Sequence, residues 1–203
     1  MKNTIIYLIG NPGIGKQTIA KKIAAREEFT IVDNHSYTNA IFAISSDFTN
    51  PKHEYYRLQV RDVVYNAITD LCPAEQSFIF TNVIYRGEEN ICIQPLQKLA
   101  EKRNALFIPV WLQCSKDENK RRIKNPFRAE QHKTRDAAVL DTIPQPTIDL
   151  PNLMTLDTTY LSADASAQII IEHAKNIERQ KKCVLCQGLQ DEFQNINSCL
   201  LYT

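Results

Sequence analysis

The apolar residues fall into short runs set apart by amphipathic or polar stretches. Thr4–Ile9 reads as a buried strand, and Lys16–Arg26 as a helix with Ile19 and Ile23 four apart. Phe29–Val32 is a second strand, ending at Asp33-Asn34-His35. Residues 36 to 54 are mixed and predict only a short helix. Tyr55–Leu71 reads as an amphipathic helix, with Val60, Val63, Val64, Ala67 and Leu71 at i, i+3, i+4, i+7 and i+11. Ser77–Ile84, "SFIFTNVI", is a third strand, and a helix follows through about Arg103. Leu106–Leu112 is a fourth strand. Lys116–Arg135 is a charged helical segment interrupted at Pro126. The three prolines of "IPQPTIDLP" predict a connector. Leu153–Leu156 is a fifth strand, and Ser162 caps a last helix running to about Arg179.

Strands alternating with helices predict an α/β fold with a mainly parallel five-stranded sheet and helices on both faces. Ligands of such sheets bind outside the carboxyl ends of the strands. Asp33, Thr81, Asn82, Cys114 and Asp157 each follow a strand body, so they should gather at that edge.

The chain has 203 residues, enough for one domain with a substantial core. No stretch approaches the about 18 apolar residues of a membrane span. The start "MKNTIIYLIGNPG" lacks the features of a signal peptide, so a cytoplasmic location without membrane partners is expected. The net charge of +1 hides a division. Lys116–Arg135 holds eight Lys or Arg and three Asp or Glu, leaving an excess of acid elsewhere. A local basic segment in a mildly acidic body suggests an element facing phosphates more than a general nucleic-acid binder. A solvated helix face is the simpler alternative.

The chemistry begins behind the first strand, where "GNPGIGKQT" fits Gly-x4-Gly-Lys. Gly10, Asn11, Pro12, Gly13, Ile14 and Gly15 form a loop whose backbone amides can turn toward a phosphate. The following helix adds its positive end, and Lys16 a charge within reach of the β- and γ-phosphates. Gln17 stands where a hydroxyl normally ligates Mg²⁺, and Thr18 comes one residue later. This arrangement resembles adenylate kinase and its relatives, whose loop also reads Gly-Lys, a non-hydroxyl residue, then Thr. The resemblance implies ATP and Mg²⁺ as cofactors, with Thr18 on a phosphate oxygen and the metal held largely by water and nucleotide.

Phosphoryl transfer to an alcohol needs a group that takes the acceptor's proton. Asp33 stands where small-molecule kinases resembling shikimate kinase, gluconate kinase and chloramphenicol phosphotransferase carry an aspartate. It could instead cap the helix that follows. His35 and Asn82 are candidate substrate contacts. Arg57 and Arg61, four apart, could hold an anionic group or be solvated. In the basic segment, which looks like the lid of this kinase class, Arg122 and Arg128 are carried over as phosphate-facing, with Lys133 and Arg135 as further candidates. Thr81-Asn82 replaces the acidic metal ligand that often ends the third strand, so Asp33 would organise Mg²⁺ through water.

Together "VDNHSYTNAIF", "SFIFTNVI", "LFIPVWLQC", "ENKRRI", "HKTRD" and "LDTTYLS" look like a bacterial group of P-loop kinases of shikimate-kinase-like or AAA-type description, over about residues 3 to 177. The resemblance implies a P-loop NTPase three-layer sandwich at 1–181, with a basic lid at about 116–135 and a tail at 182–203. It implies transfer of the γ-phosphate to a small hydroxylated acceptor. Alternatives are a nucleoside or nucleotide kinase, or a nucleotide-binding regulator that hydrolyses slowly. In the tail, Cys183 and Cys186 have metal-ligand spacing, and Cys199 with His173 could complete a zinc site. Free thiols are the simpler reading.

Overall fold

The structure is a computed structural model that describes residues 1–45, 47, 49–126 and 134–200, with side chains to residue 183. Thr4–Ile9 is β1, and every residue of it is buried. A strand apolar on both faces belongs in the middle of a covered parallel sheet. β1 lies there, between β3 (Ser77–Asn82) and β4 (Leu106–Gln113), with β2 (Phe29–Asp33) and β5 (Met154–Asp157) at the edges. The order is β2-β3-β1-β4-β5, and every pairing is parallel.

The period of two along β1 divides the core. Ile6 and Leu8 pack with Ile19 and Ile23 of α1 (Lys16–Ala24) and with Ala167, Ile170 and Ala174 of α7 (Ala163–Leu200). Ile5, Tyr7 and Ile9 face the other way. They meet Tyr65 and Ile68 of α3 (Pro51–Leu71) and Ile93, Leu96 and Leu99 of α4 (Glu89–Lys102). The three-layer α/β sandwich expected from the alternation of elements is the observed one.

Several elements differ from expectation. α2 (Asn34–Ile44) begins directly at the end of β2, because Asp33 caps it. α5 spans only Lys116–Ile123 and ends two residues before Asn125, where the following Pro126 disfavours helical backbone. A short α6 (Val139–Thr142) precedes the proline connector. The last helix continues to Leu200 instead of ending near Arg179, and Ser162 caps it through Oγ, which accepts from Ala165 N at 3.0 Å. Among the described residues, no helix is long and apolar enough to cross a membrane.

The largest correction concerns α3. The stripe expected to face the core is split: Val64 packs on it and Val60 and Ala67 are half-buried, but Val63 is 67% exposed and Leu71 80%. The inward face carries His53, Arg57, Arg61, Tyr65 and Ile68. This face borders a cleft as well as the sheet, so it is built from amphipathic side chains whose stems and rings supply the apolar contact.

Buried Arg103, just beyond α4, ties this half together. Its Nη1 donates to Ile68 O at 2.7 Å and its Nη2 to Pro73 O at 2.6 Å, with longer contacts to the carbonyls of Cys72, Ala74 and Gln76. The guanidinium also lies 5.1 Å from the Phe78 ring. It thus serves the carbonyls at the end of α3 and in the turn into β3. Arg103→Ala should cost about 3 kcal/mol, the scale of stranding buried acceptors. Leu71→Ala, at an exposed position, should stay within about 0.5 kcal/mol. Urea unfolding measures both, and comparable losses would refute this assignment of the two faces.

Candidate active site

All five strands run the same way, so their carboxyl ends share one edge. There Ile9 registers with Asn82 and Trp111, and Asp33 with Thr81. The Gly10–Gly15 loop leaves this edge and enters α1 at Gly15, the N-cap, whose φ of 107° is left-handed backbone. Glycine offers no side-chain acceptor to the first-turn amides, so the positive end of the helix opens on the loop. Lys16 lies across the loop, with Nζ donating to Gly10 O at 2.6 Å and Asn11 O at 3.1 Å.

α5 grips the loop from behind. The buried Asn119 donates through Nδ2 to Pro12 O at 2.8 Å. At Gly13, φ is 83° and a Cβ would stand 2.8 Å from Ile123 Cβ, so only glycine lets α5 come this close. Arg122 donates to Ile14 O at 3.2 Å, to Thr158 Oγ1 at 3.0 Å and to Thr158 O at 2.7 Å. Its Nε donates to Glu118 Oε1 at 2.6 Å. Arg121 and Arg122 bonding to Glu118 lower that carboxyl's pKa to about 2, so the pair stays charged well into acid. Arg122 therefore joins the loop to the end of β5 and also lines the cleft.

Across the cleft, the buried Asp33 accepts from Thr81 Oγ1 at 3.0 Å and from His35 N at 3.4 Å. It caps α2 and lines the cleft at once. Asn34 Nδ2 donates to Asn82 Oδ1 at 3.0 Å, which also accepts from Val83 N at 2.9 Å. His35 Nδ1 lies 3.4 Å from Asn39 Oδ1, and the ring faces the same space.

One cavity of about 1400 Å³ joins these groups. It is lined by Pro12–Ile19, by Asp33 and Asn82, and by Arg57 and Arg61 of α3. Arg57 and Arg61 each pair with a neighbouring carboxylate, Glu54 and Asp62. Tyr37, Tyr65 and Cys92 line the same side. Thr81, expected at this edge, lines it too; the sequence reading missed Tyr37, Tyr65, Cys92 and Thr158. Nothing in the spacing of an isolated Tyr or Thr marks it as lining a cleft.

Arg128 and Lys133 lie outside the described residues. Arg135 donates to Lys124 O at 3.4 Å through Nε and at 3.3 Å through Nη2. Part of the basic excess is locally compensated, since Lys120 Nζ bonds Asp141 at 2.9 Å and Lys116 also bonds it.

Along α7, the backbone separates the candidate zinc ligands, and the side chains of Cys186 and Cys199 lie outside the described ones. Ten residues of helix set His173 and Cys183 about 15 Å apart, and Cys199 lies further still. Cys72, Cys92 and Cys114 are half-buried. Among the described residues, no cluster of three or more His, Cys, Asp or Glu could hold a metal. Mg²⁺ keeps several waters and takes one or two carboxylates beside substrate phosphates. Asp33, the carboxylate at the loop edge, together with Gln17 and Thr18 in the cleft, fits that demand.

Neither a protein-family model nor a curated protein sequence matches the chain. Solved structures do. A gluconokinase from Sinorhizobium meliloti 1021 superposes with a TM-score of 0.56 at 12% identity, covering 91% of this chain and 97% of its own. The APS kinase of Mycobacterium tuberculosis, solved with AMPPNP and APS, gives 0.58 at 15%, covering 86% and 98%. A tunicamycin resistance protein of Deinococcus radiodurans gives 0.51 at 14%, covering 83% and 93%. This five-stranded parallel sheet with its helices is the fold of the P-loop kinases.

Proposed function

We propose that this protein is an ATP-dependent phosphotransferase that moves the γ-phosphate to a hydroxyl of a small-molecule acceptor. The observation that carries the reading is the continuity of the cleft, which runs from the phosphate loop past Asp33 to α3. A nucleotide on the loop leaves the far half for a second substrate, which a regulator that only hydrolyses ATP has no need of. The kinases that share the fold support the same reading.

The amides of Gly13–Lys16 and the Lys16 ammonium bind the β- and γ-phosphates. Bound Mg²⁺ supplies charge neutralisation on the phosphate oxygens. Asp33, fixed by Thr81 and by the α2 amide, accepts the proton of the acceptor hydroxyl. The acceptor oxygen then bonds the γ-phosphorus as the bond to the β-phosphate oxygen breaks, and ADP leaves. Arg122 keeps the loop in register with the end of β5 and adds positive charge beside the transferring group. Arg128, in the basic segment beyond α5, is assigned to the same charge. Gln17 and Thr18 lie at the phosphate end, and His35 and Asn82 at the acceptor end.

Mg²⁺ with ATP should raise the melting temperature, and Lys16→Ala should remove most of that rise, because a ligand of the native state stabilises by mass action. An undiminished shift in folded Lys16→Ala protein rules out the loop assignment. A metabolite panel incubated with ATP, with phosphorylated product read by mass spectrometry, separates a kinase from a regulator. On an acceptor so found, Asp33→Asn should keep ATP binding while slowing transfer roughly 10²-fold or more, the scale of general-base loss. Near-normal turnover would leave Asp33 as a helix cap alone.

A further inference from the structure

On that kinase reading, the acceptor half of the cleft also limits what the acceptor is. Its two guanidiniums both come with carboxylates of their own. Arg57 forks onto Glu54, with Nε at 2.9 Å from Oε2 and Nη2 at 2.7 Å from Oε1. Burial works against the Arg57 charge, but the Glu54 contact outweighs it and raises the pKa. Arg61 sets Nε and Nη2 on Asp62 Oδ1, at 2.9 and 2.7 Å. Its Nη1 donates to Ile91 O at 2.7 Å. That carbonyl is open to it because Pro95, four residues on in α4, has no amide to close the helical bond.

A guanidinium fork closed on a carboxylate spends two of its five N–H donors there and has its charge offset, which weakens its pull on an anionic substrate. Glu88 adds another acid to this wall, and its charge reaches Tyr85, Cys92 and Arg57. Asp33, Glu54 and Glu88 line the cleft with Arg57 and Arg61, three carboxylates to two guanidiniums, and Arg61 is held by Asp62 outside the lining. If Arg57 released Glu54 to take a substrate carboxylate, three acids would crowd together: the substrate, Glu54 and Glu88. Like charges so placed repel.

The wall also carries Tyr37, Tyr65, Phe42, Leu58 and Ile91. Burial raises the Tyr37 and Tyr65 pKa values, so both stay neutral hydroxyls. Burial, with Glu88, lifts the Cys92 thiol to about 11, so it too is neutral. Aromatic faces and neutral hydroxyls suit a ring-bearing molecule held by dispersion and a few hydrogen bonds.

We infer that the acceptor is an alcohol with an aromatic or similarly apolar portion that is uncharged or cationic, and that Glu54 turns anionic acceptors away by holding Arg57.

Phenylalaninol, phenylpropanediol and phenyllactate share a ring and a hydroxyl and differ in charge. Their binding to the full chain is measured by calorimetry with Mg²⁺ and a non-hydrolysable ATP analogue present, so no transfer is needed. Phenylalaninol and phenylpropanediol should bind at least about tenfold more tightly than phenyllactate, a gap of about 1.4 kcal/mol. Glu54→Gln frees Arg57 and should move the order toward phenyllactate by about tenfold. A purely structural Glu54 would weaken all three probes together. Glu88→Gln should reduce the preference for phenylalaninol over phenyllactate, and it decides the matter if Glu54→Gln does not fold. The inference is overturned if the wild type binds phenyllactate as well as the others, if it binds none of them, or if the folded variants keep the wild-type order. The kinase reading fails differently, by absence of transfer across the whole metabolite panel with ATP binding intact, whatever the order of these probes.

Discussion

On the proposed reading, the Gly10–Gly15 loop keeps its backbone amides turned toward a phosphate, and its glycines give it few side chains to hold that shape. Here the restraint comes from behind. Asn119 fixes the Pro12 carbonyl, Gly13 lets α5 pack against the backbone, and Arg122 joins the Ile14 carbonyl to Thr158. Each contact spans more than a hundred residues of sequence except the Arg122–Thr158 bond, which spans 36. The fully buried β1 sets where the loop begins, and α5 sets the shape it keeps. Glu118 holds Arg122 in place and, with a pKa near 2, keeps doing so at any ordinary pH.

The opposite wall follows a different rule. α3 turns toward the sheet and the cleft together, so its inner face needs apolar contact and polar reach at once. Arg61 and Tyr65 supply both, with the Arg61 guanidinium 5.9 Å from the Tyr65 ring. Pro95 serves this wall at a distance, since the amide it lacks leaves the Ile91 carbonyl to orient Arg61. Asp33 sits where the two walls meet. Its ties to Thr81 on β3 and to the first turn of α2 give it one position rather than several.

Much of this was legible in the order of residues. Five apolar runs alternating with helices determined a parallel sheet, and a parallel sheet puts every strand's carboxyl end at one edge. The loop at Gly10–Thr18 and Asp33 were therefore placed together by topology that the sequence implies. A loop motif is also a local object, with glycines, lysine and helix start adjacent in the chain, so its chemistry can be read without tertiary contacts.

What only the tertiary structure decided is which way α3 faces and what its charges meet. Hydrophobic periodicity assumes that the greasier face is the buried one, which would bury Val63 and Leu71 along with Val64. Beside a cleft it fails, because the inner face there is made of arginine stems and tyrosine rings that score as polar. The pairing of Arg57 with Glu54 is three residues apart and could be foreseen. Arg61 with Ile91, Asp33 with Thr81 and Arg122 with Thr158 join separate elements. Such partners are fixed by how helices settle on the sheet, a matter of packing that no local spacing encodes.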